Sequence, residues 1–248
     1  MTLPFGFDGG MATYLAAALL VAAFIRGYTG FGFSAIFIAF AALVTNPVPM
    51  IPVVFTCEIL MTAFQARGIR AHIDWRRVGA LLAGAALATI PAVSIMARLG
   101  PEAARAVVST LICLLALFLL SGWQLKRPIG MAGHGGVGIL AGFCNGAGVG
   151  GLPVAAFLTA QPMTATVFRA TMIAFLTGVD LMALPVMAAN GLVTTQTATG
   201  AMLAFPILGL GIWLGGKRFA YASPTGFRRA AVFLLLGLSI LTLLQVLL

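Results

Sequence analysis

The sequence predicts an all-α polytopic membrane protein built from two inverted-topology repeats, and three observations support this. The 248 residues are 61% hydrophobic and 8% charged, with a mean hydropathy of +1.11, which is too apolar for a water-soluble domain. The apolar residues form two sets of five segments. A glycine-rich break interrupts each set at the same place, between its first and second segments. We therefore treat residues 1–248 as a single membrane domain.

Each apolar segment is predicted to be a membrane helix. The first five define a repeat over 11–123, the second five a repeat over 137–248, and a cytoplasmic linker at 124–136 joins them. The last three segments of each repeat approach the roughly 20 residues that cross a bilayer, whereas the first two are too short to cross alone. Each repeat is thus a broken or re-entrant helix pair plus three transmembrane helices. The segments are 11–25, 33–44, 50–66, 78–97, 106–123, 137–144, 152–160, 166–188, 200–216 and 230–248.

The charges of the loops orient these helices. Loops 67–77, 124–136 and 217–229 are rich in Lys and Arg and are predicted to be cytoplasmic, because positively charged loops stay inside. Loops 98–105 and 189–199 are predicted to face outward. The third helix of the first repeat then ends inside and its counterpart ends outside, so the repeats run in opposite directions and both termini lie outside. This loop bias also explains the net charge of +9 without nucleic-acid binding.

Short matches that occur in the same order in both halves support an ancient duplication. Paired glycine breaks in the two halves of a polytopic chain are typical of secondary transporters, which bind their substrate between the repeats. The matches are Gly30-x-Gly32 with Gly148-x-Gly150, residues 49–55 with 162–168, and Pro101-x-x-x-Arg105 with Pro224-x-x-x-Arg228.

The two breaks, with the loop that follows the third segment, resemble the TauE/SafE family of membrane anion transporters, the sulfite exporter or toluenesulfonate uptake permease group. The residues concerned are 26–33, 142–153 and 72–76, and the resemblance covers nearly the whole chain. It implies movement of sulfur-containing or carboxylate anions across the bacterial inner membrane. It leaves the substrate and the direction open, because the family contains exporters and importers. The second half departs from the pattern at 193–195, which replace the Ile-Asp-Trp of the loop.

The glycine breaks form the candidate anion site. A glycine-rich turn that opens a helix leaves backbone N–H groups directed at a cavity, and the helix dipole adds positive potential there. We expect the receiving helices to begin near Ser34 and near 152–153. The alternative role for these glycines is close helix packing. The candidate anion-binding residues are Gly27, Thr29, Gly30, Gly32 and Ser34 at the first break and Asn145, Gly146, Gly148, Gly150 and Gly151 at the second, with Gln65 as a further donor.

Four charged residues lie within or beside the predicted membrane segments. Arg26 and Arg169 are candidates for contact with the anion, because a guanidinium matches sulfonate or carboxylate oxygens. The alternative is an arginine that reaches from a helix end to water. Glu58 and Asp180 are candidates for proton coupling, since acids inside a membrane are costly and default to function. The alternative is a structural pair, Glu58 with Arg169 or Asp180 with Arg26.

These observations predict a secondary transporter for a small anion of the sulfite, organosulfonate or carboxylate class, and an anion channel of the same architecture is the alternative. The predicted partners are the anion and the lipid bilayer. Coupling to a proton is left open. No enzyme activity, cofactor or metal is expected. The three cysteines have no metal-type spacing, and His72 and His134 are predicted to lie in cytoplasmic loops. The oligomeric state is left open between a monomer and a homodimer.

Overall fold

A computed structural model describes residues 4–122, 129–219 and 224–247, and within them the chain forms ten α-helices and no strand. The all-α polytopic fold class is confirmed. Among the described residues, five helices are long and apolar enough to cross a membrane, namely α1, α4, α5, α8 and α9. The helices are α1 (Gly9–Thr29), α2 (Phe33–Val44), α3 (Met50–Ile69), α4 (Trp75–Met96), α5 (Pro101–Leu120), α6 (Met131–Asn145), α7 (Gly151–Thr159), α8 (Ala165–Ala189), α9 (Thr195–Phe219) and α10 (Pro224–Leu247).

The first predicted segment was too short. Helix α1 spans 21 residues and is long enough to cross a membrane alone, so it is not the short half of a broken pair. The prediction ended at residue 25 because Arg26 interrupts the apolar run. The backbone nevertheless continues as a helix to Thr29, and the N–H of Gly30 still donates to the carbonyl of Arg26 at 2.8 Å.

Among the described residues, all five predicted loops lose residues to the neighbouring helices. Helix α6 begins at Met131, so residues 131–136 belong to a helix rather than to the linker, and residues 124–128 of that linker lie outside the described residues. Helix α5 includes Arg105, which was assigned to a loop. Helices α9 and α10 leave only 220–223 outside the description. Each helix continues past its apolar run because polar residues extend the same backbone hydrogen bonding.

Side-chain caps fix several helix starts. The carboxylate of Asp8 accepts from the N–H of Met11 at 2.7 Å and opens α1. Asp74 accepts from the N–H of Arg77 at 3.2 Å and opens α4. Each cap satisfies one of the N–H groups that the first turn of a helix leaves without an intrahelical partner.

The two halves of the chain pack against each other through matched pairs of helices, one from each half. The most extensive contacts join α1 to α9 and α4 to α6, which are in each case the first helix of one half and the fourth of the other. Helix α3 packs on α8 and α5 on α10, which pairs the third helices and the fifth helices. This main pattern of contacts is unchanged when the halves are exchanged, as a duplicated chain requires.

Glycines allow α4 and α6 to approach closely. A Cβ atom at Gly138 would meet the backbone of Leu81, and one at Gly142 would meet the backbone of Ala85. These contacts occur in the same order along both helices, so α4 and α6 run parallel. Small residues at such positions are how membrane helices obtain van der Waals contact between their backbones.

Helices α3 and α8 run antiparallel. The hydroxyls of Thr62 and Thr177 lie 2.8 Å apart, and Glu58, one turn earlier on α3, neighbours Asp180, one turn later on α8. The third helices of the two halves therefore point in opposite directions. The inverted orientation of the complete repeats stays a prediction, and this pair supports it.

The substitution Gly142→Ala should destabilise the protein, because the new methyl group would force α6 away from Ala85 of α4. Overpacking of this kind typically costs about 1–3 kcal/mol, against a gain of about 1 kcal/mol when alanine replaces glycine inside a helix. Gly136→Ala on the same helix is the control, since no atom lies within 4 Å of its added Cβ. Thermal unfolding in detergent compares the two. A midpoint for Gly142→Ala at or above that of Gly136→Ala would contradict the close packing.

Candidate anion-binding site and buried charge cluster

The first break consists of residues 30–32, between α1 and α2. Gly30 and Gly32 have φ angles of 83° and 86°, in the left-handed region that glycine enters without the steric cost of a Cβ atom. The following helix begins at Phe33, as predicted, and Ser34 is buried in its first turn. The chain thus reverses with its backbone inside the protein rather than in a loop at the surface.

Two candidate residues of the first break belong instead to the last turns of α1. The hydroxyl of Thr29 lies 2.9 Å from the carbonyl of Ile25 and 2.8 Å from that of Phe31, so its single hydrogen bonds to the local backbone. Gly27 faces α9, where an added Cβ would lie 2.6 Å from the carbonyl oxygen of Ile212. In this conformation Thr29 fixes the turn and Gly27 permits helix packing, and a direct role for either in anion binding stays a prediction.

The second break consists of residues 146–150, between α6 and α7, and all of them are buried. Gly148 has a φ angle of 75°, which again requires glycine. A Cβ at Gly146 would lie 2.7 Å from the backbone of Ala92, and one at Gly150 would lie 2.6 Å from a backbone oxygen of α6. Close packing therefore accounts for Gly146 and Gly150, whereas the turn itself accounts for Gly148.

The helices that follow the two breaks contact each other. Helix α7 begins at Gly151, one residue before the predicted start at Leu152, and α7 packs against α2. Gly148 lies against the side chains of Ile38 and Ile51. The second break thus sits beside the helix that the first break opens. The convergence of their N–H groups on one anion stays a prediction.

A fully buried ion pair lies beside these breaks. Nη1 of Arg26 is 2.6 Å from Oε1 of Glu58, and the two side chains are 0% and 1% exposed. This corrects two expectations. Arg26 does not reach from its helix end to water, and Glu58 pairs with Arg26 rather than with Arg169. The pair connects α1 to α3.

Asp180 and Asn145 complete the buried charge cluster, which we define as Arg26, Glu58, Asn145 and Asp180. The carboxyl of Asp180 is wholly buried and neighbours the carboxyl of Glu58, the amide of Asn145 and the guanidinium of Arg26. Asn145 approaches Asp180 without reaching hydrogen-bond geometry, so neither oxygen of Asp180 accepts a formed bond. The cluster draws Arg26 and Glu58 from the first half of the chain and the other two residues from the second.

The buried charge cluster retains hydrogen-bonding capacity. Nε and Nη2 of Arg26, Nδ2 of Asn145 and Oε2 of Glu58 are buried without a partner among the described residues. Buried polar atoms are normally satisfied, and exceptions often mark a functional site. The free donors of Arg26 and Asn145 are of the type that an oxyanion accepts from.

Arg169 connects the first break to a cavity. Its Nη2 donates to the carbonyl of Gly27 at 2.8 Å, and a Cβ at Gly30 would lie 2.5 Å from its Cγ. The same side chain lines a cavity of about 350 Å³ between the end of α3 and the start of α8. Arg169 therefore joins the cavity to the turn of α1 that carries Arg26. The cavity is lined by Gln65, Gly68, Ile69, His72, Thr166, Arg169 and Ala170.

Sequence reasoning misplaced or missed several polar residues. His134 is not in a loop: it lies buried in α6, with Nδ1 3.1 Å from the carbonyl of Gly130 and its ring 4.9 Å from that of Phe157. The available signal for a helix was the position of His134 four residues before Gly138, since residues four apart lie on the same face of a helix. Thr62 and Thr177 were also missed, although Thr62 lies one turn from Glu58.

Helices broken by glycine turns, a buried charge cluster and a cavity that Arg169 lines are typical of a multi-pass membrane protein of the transporter class. The model of the family described as sulfite exporter TauE/SafE matches residues 14–242. The chain therefore belongs to this family of membrane transporters for sulfur-containing anions, and the resemblance seen in the sequence is confirmed. No curated protein and no solved structure matched the chain.

The substitution Gly30→Ala should impair transport of sulfur-containing anions more than Gly32→Ala does. Both would place alanine at a similar positive φ, which costs about 1–2 kcal/mol. Only at Gly30 would the methyl also collide with Arg169, since the nearest atom to a Cβ at Gly32 is 3.7 Å away. Gly32→Ala thus serves as the control for backbone strain. Uptake into proteoliposomes at matched protein content measures the difference. Equal rates for the two variants would show that transport does not depend on the position of Arg169.

Proposed function

We propose that the chain is a secondary transporter that carries a small sulfur-containing oxyanion from the cavity, past Arg169, to the buried charge cluster. Sulfite and organosulfonates are the favoured substrates, with carboxylates as the related class. The observation that supports this most is the fully buried Arg26–Glu58 pair, whose guanidinium keeps two nitrogens without a hydrogen-bond partner among the described residues. A site of this kind offers charge and several donors within the protein interior.

The cavity favours entry of an anion. Four of its lining residues offer N–H or O–H donors, and none of the lining residues carries a carboxylate. Arg169 adds a fixed positive charge at the inner end. A guanidinium presents its donors in a plane that fits two oxygens of a sulfonate, sulfite or carboxylate group. The four donor residues are Gln65, His72, Thr166 and Arg169.

The carboxyl pair supplies the proton-coupling step. Glu58 and Asp180 are neighbours in a buried site with Arg26 as the cation beside both. Two ionised carboxylates side by side repel each other, and one shared proton removes that repulsion. The pair is therefore suited to take up and release one proton, which would offset the charge of the transported anion.

The proposed site lies at the interface of two inverted repeats, in the manner of other secondary transporters. Both repeats contribute, with Arg26 and Glu58 from the first and Asn145, Arg169 and Asp180 from the second. The antiparallel packing of α3 on α8 supports the inversion. We place the chain in the bacterial inner membrane with the cavity on the cytoplasmic side and both termini outside, because the basic loop at 67–77 adjoins the cavity.

Flux measurements in proteoliposomes test this function. Wild-type protein should move sulfite or methanesulfonate with saturable kinetics, and an imposed proton gradient should drive accumulation against the anion gradient. Asp180→Asn should lose that dependence on the proton gradient while still exchanging anions downhill. Glu102→Gln is the control, since it removes an exposed acid outside the site. Flux that does not saturate and never runs uphill would replace the carrier with a channel, and an Asp180→Asn variant that still accumulates anion would remove Asp180 from the coupling step.

Cysteine labelling tests the orientation. In a background without the three native cysteines, Gln196→Cys at the start of α9 should react with a membrane-impermeant maleimide added outside cells. Arg76→Cys at the start of α4 should react only after the membrane is opened. Both side chains are exposed in the structure, so a failure to react is not explained by burial. Labelling of the two positions from the same side would contradict the inverted topology.

A further inference from the structure

We infer that the proton reaches the Glu58–Asp180 pair from the cavity along the interface of α3 and α8, through the hydroxyls of Thr62 and Thr177. We call this line the hydroxyl relay, and define it as Gln65, Thr62 and Thr177. The inference rests on the proposed function, because it names the path of the proton that the transporter would use. The proton and the anion then take different paths, since the anion passes Arg169 and the proton does not.

The relay residues lie in register between the cavity and the carboxyls. On α3, Glu58, Thr62 and Gln65 are spaced by four and three residues and so share one helix face. On α8, Thr177 lies three residues before Asp180. Because α3 and α8 run antiparallel, the carboxyls occupy one level of the interface and the threonines the next. Gln65 lies one turn further toward the cavity, whose lining includes it.

The hydrogen bond between the two threonines joins the helices. Their Oγ1 atoms are 2.8 Å apart. Each hydroxyl also lies near the carbonyl one turn back, at 3.0 Å from that of Glu58 for Thr62 and 2.9 Å from that of Ile173 for Thr177. A threonine inside a helix is commonly satisfied by that local carbonyl alone. A hydroxyl can donate and accept at once, which is the property that stepwise proton transfer requires.

Gln65 marks the entrance of the relay. Its Oε1 atom is buried and has no hydrogen-bond partner among the described residues, although the side chain lines the cavity. An amide oxygen accepts hydrogen bonds from water or hydronium. It is therefore placed to hold the proton donor at the cavity wall, one turn from Thr62.

Electrostatics favours this line over the route past Arg169. A proton that followed the anion would approach the guanidinium of Arg169 and then that of Arg26. Both groups are positively charged and lie close enough to interact with each other, so they would repel the proton. The relay residues are neutral. The charged or titratable groups that face the carboxyl pair are Arg26 from α1 and the thiol of Cys57 beside Glu58 on α3, while α6 contributes the uncharged Asn145. Two adjacent paths thus suit a cation and an anion respectively.

The transfer balances without any other reactant. A hydronium ion in the cavity gives its proton to one hydroxyl oxygen and becomes water. That hydroxyl passes its original hydrogen to the second hydroxyl, which passes its own on toward a carboxylate oxygen of the pair. Each hydroxyl breaks one O–H bond and forms one, and the carboxylate becomes a carboxylic acid. Neither hydroxyl is hydrogen-bonded to a carboxylate oxygen of the pair, and Cβ atoms one turn apart are about 5–6 Å from each other. One water molecule between the adjacent turns therefore carries the last step, taking a proton from the hydroxyl and giving one of its own to the carboxylate.

Removal of either hydroxyl tests the relay. Thr62→Val and Thr177→Val keep the shape of the side chain, and in proteoliposomes that contain a pH dye they should slow anion-coupled proton uptake on the order of a hundredfold, at the low end of what positioned proton-transfer groups contribute. Thr62→Ser and Thr177→Ser keep the hydroxyl and should retain the wild-type rate. Thr56→Val is the matched control, because Thr56 also bonds to the carbonyl one turn back on α3, at 2.7 Å from that of Pro52, but lies off the relay. Methanesulfonate or sulfate is the transported anion, since neither carries a proton itself at neutral pH.

The outcomes separate the relay from the proposed function. Valine variants with wild-type proton uptake would overturn the relay and leave the transporter intact, provided that Asp180→Asn has lost coupling in the same assay. A wild-type protein that takes up no protons with any anion would overturn both the coupling and the relay. If a valine variant does not purify as a single species, the corresponding alanine variant takes its place. Serine variants as slow as the valine variants would also contradict the relay, since the loss would then follow from packing.

Discussion

The fold depends on keeping Arg26 and Glu58 together and away from lipid. Removing a charge from water costs several kcal/mol per ion even after the protein relaxes, and only a well-placed partner offsets that cost. The 2.6 Å contact between the two side chains, both almost wholly buried, therefore requires that α1 and α3 remain in one register. Asp180 and Asn145 enclose the pair from α8 and α6. The ion pair thus fixes how α1 packs against α3, and Asp180 and Asn145 add the contribution of the second half.

Such an enclosed pair requires close helix packing, and glycine provides it. Gly27 allows α1 to approach the backbone of α9 next to Arg26, and Gly146 allows the second break to approach α4 next to Asn145. A larger residue at either position would displace the helix that carries a cluster residue. Site formation and helix packing are therefore not separate roles for these glycines, although they stand as alternatives when only the sequence is read.

The sequence predicted which segments form helices better than it predicted which helices and side chains contact each other. Apolar runs and glycine breaks were sufficient for ten helices in the right order, because hydrophobicity and turn-forming glycine are local properties. The partner of Glu58 is 32 residues away in sequence, and it depends on α1 continuing one turn past its apolar run. His134 was placed in a loop because the polar and glycine residues around it do not form an apolar run that would indicate the start of α6. Contacts between distant helices follow from register, which no local pattern encodes.

The arrangement of charges gives the proposed coupling a physical basis. In the proposed site, Glu58 and the bound oxyanion share the guanidinium of Arg26, Glu58 through Nη1 and the anion through Nε and Nη2. A proton on the carboxyl pair weakens the attraction between Glu58 and Arg26 and so makes Arg26 more available to the anion. By linkage, a bound anion must then favour uptake of the proton by the same free energy. In the proposed mechanism, one ion pair thereby holds the empty site together and makes anion binding depend on proton binding, which gives Asp180 beside it a part in both.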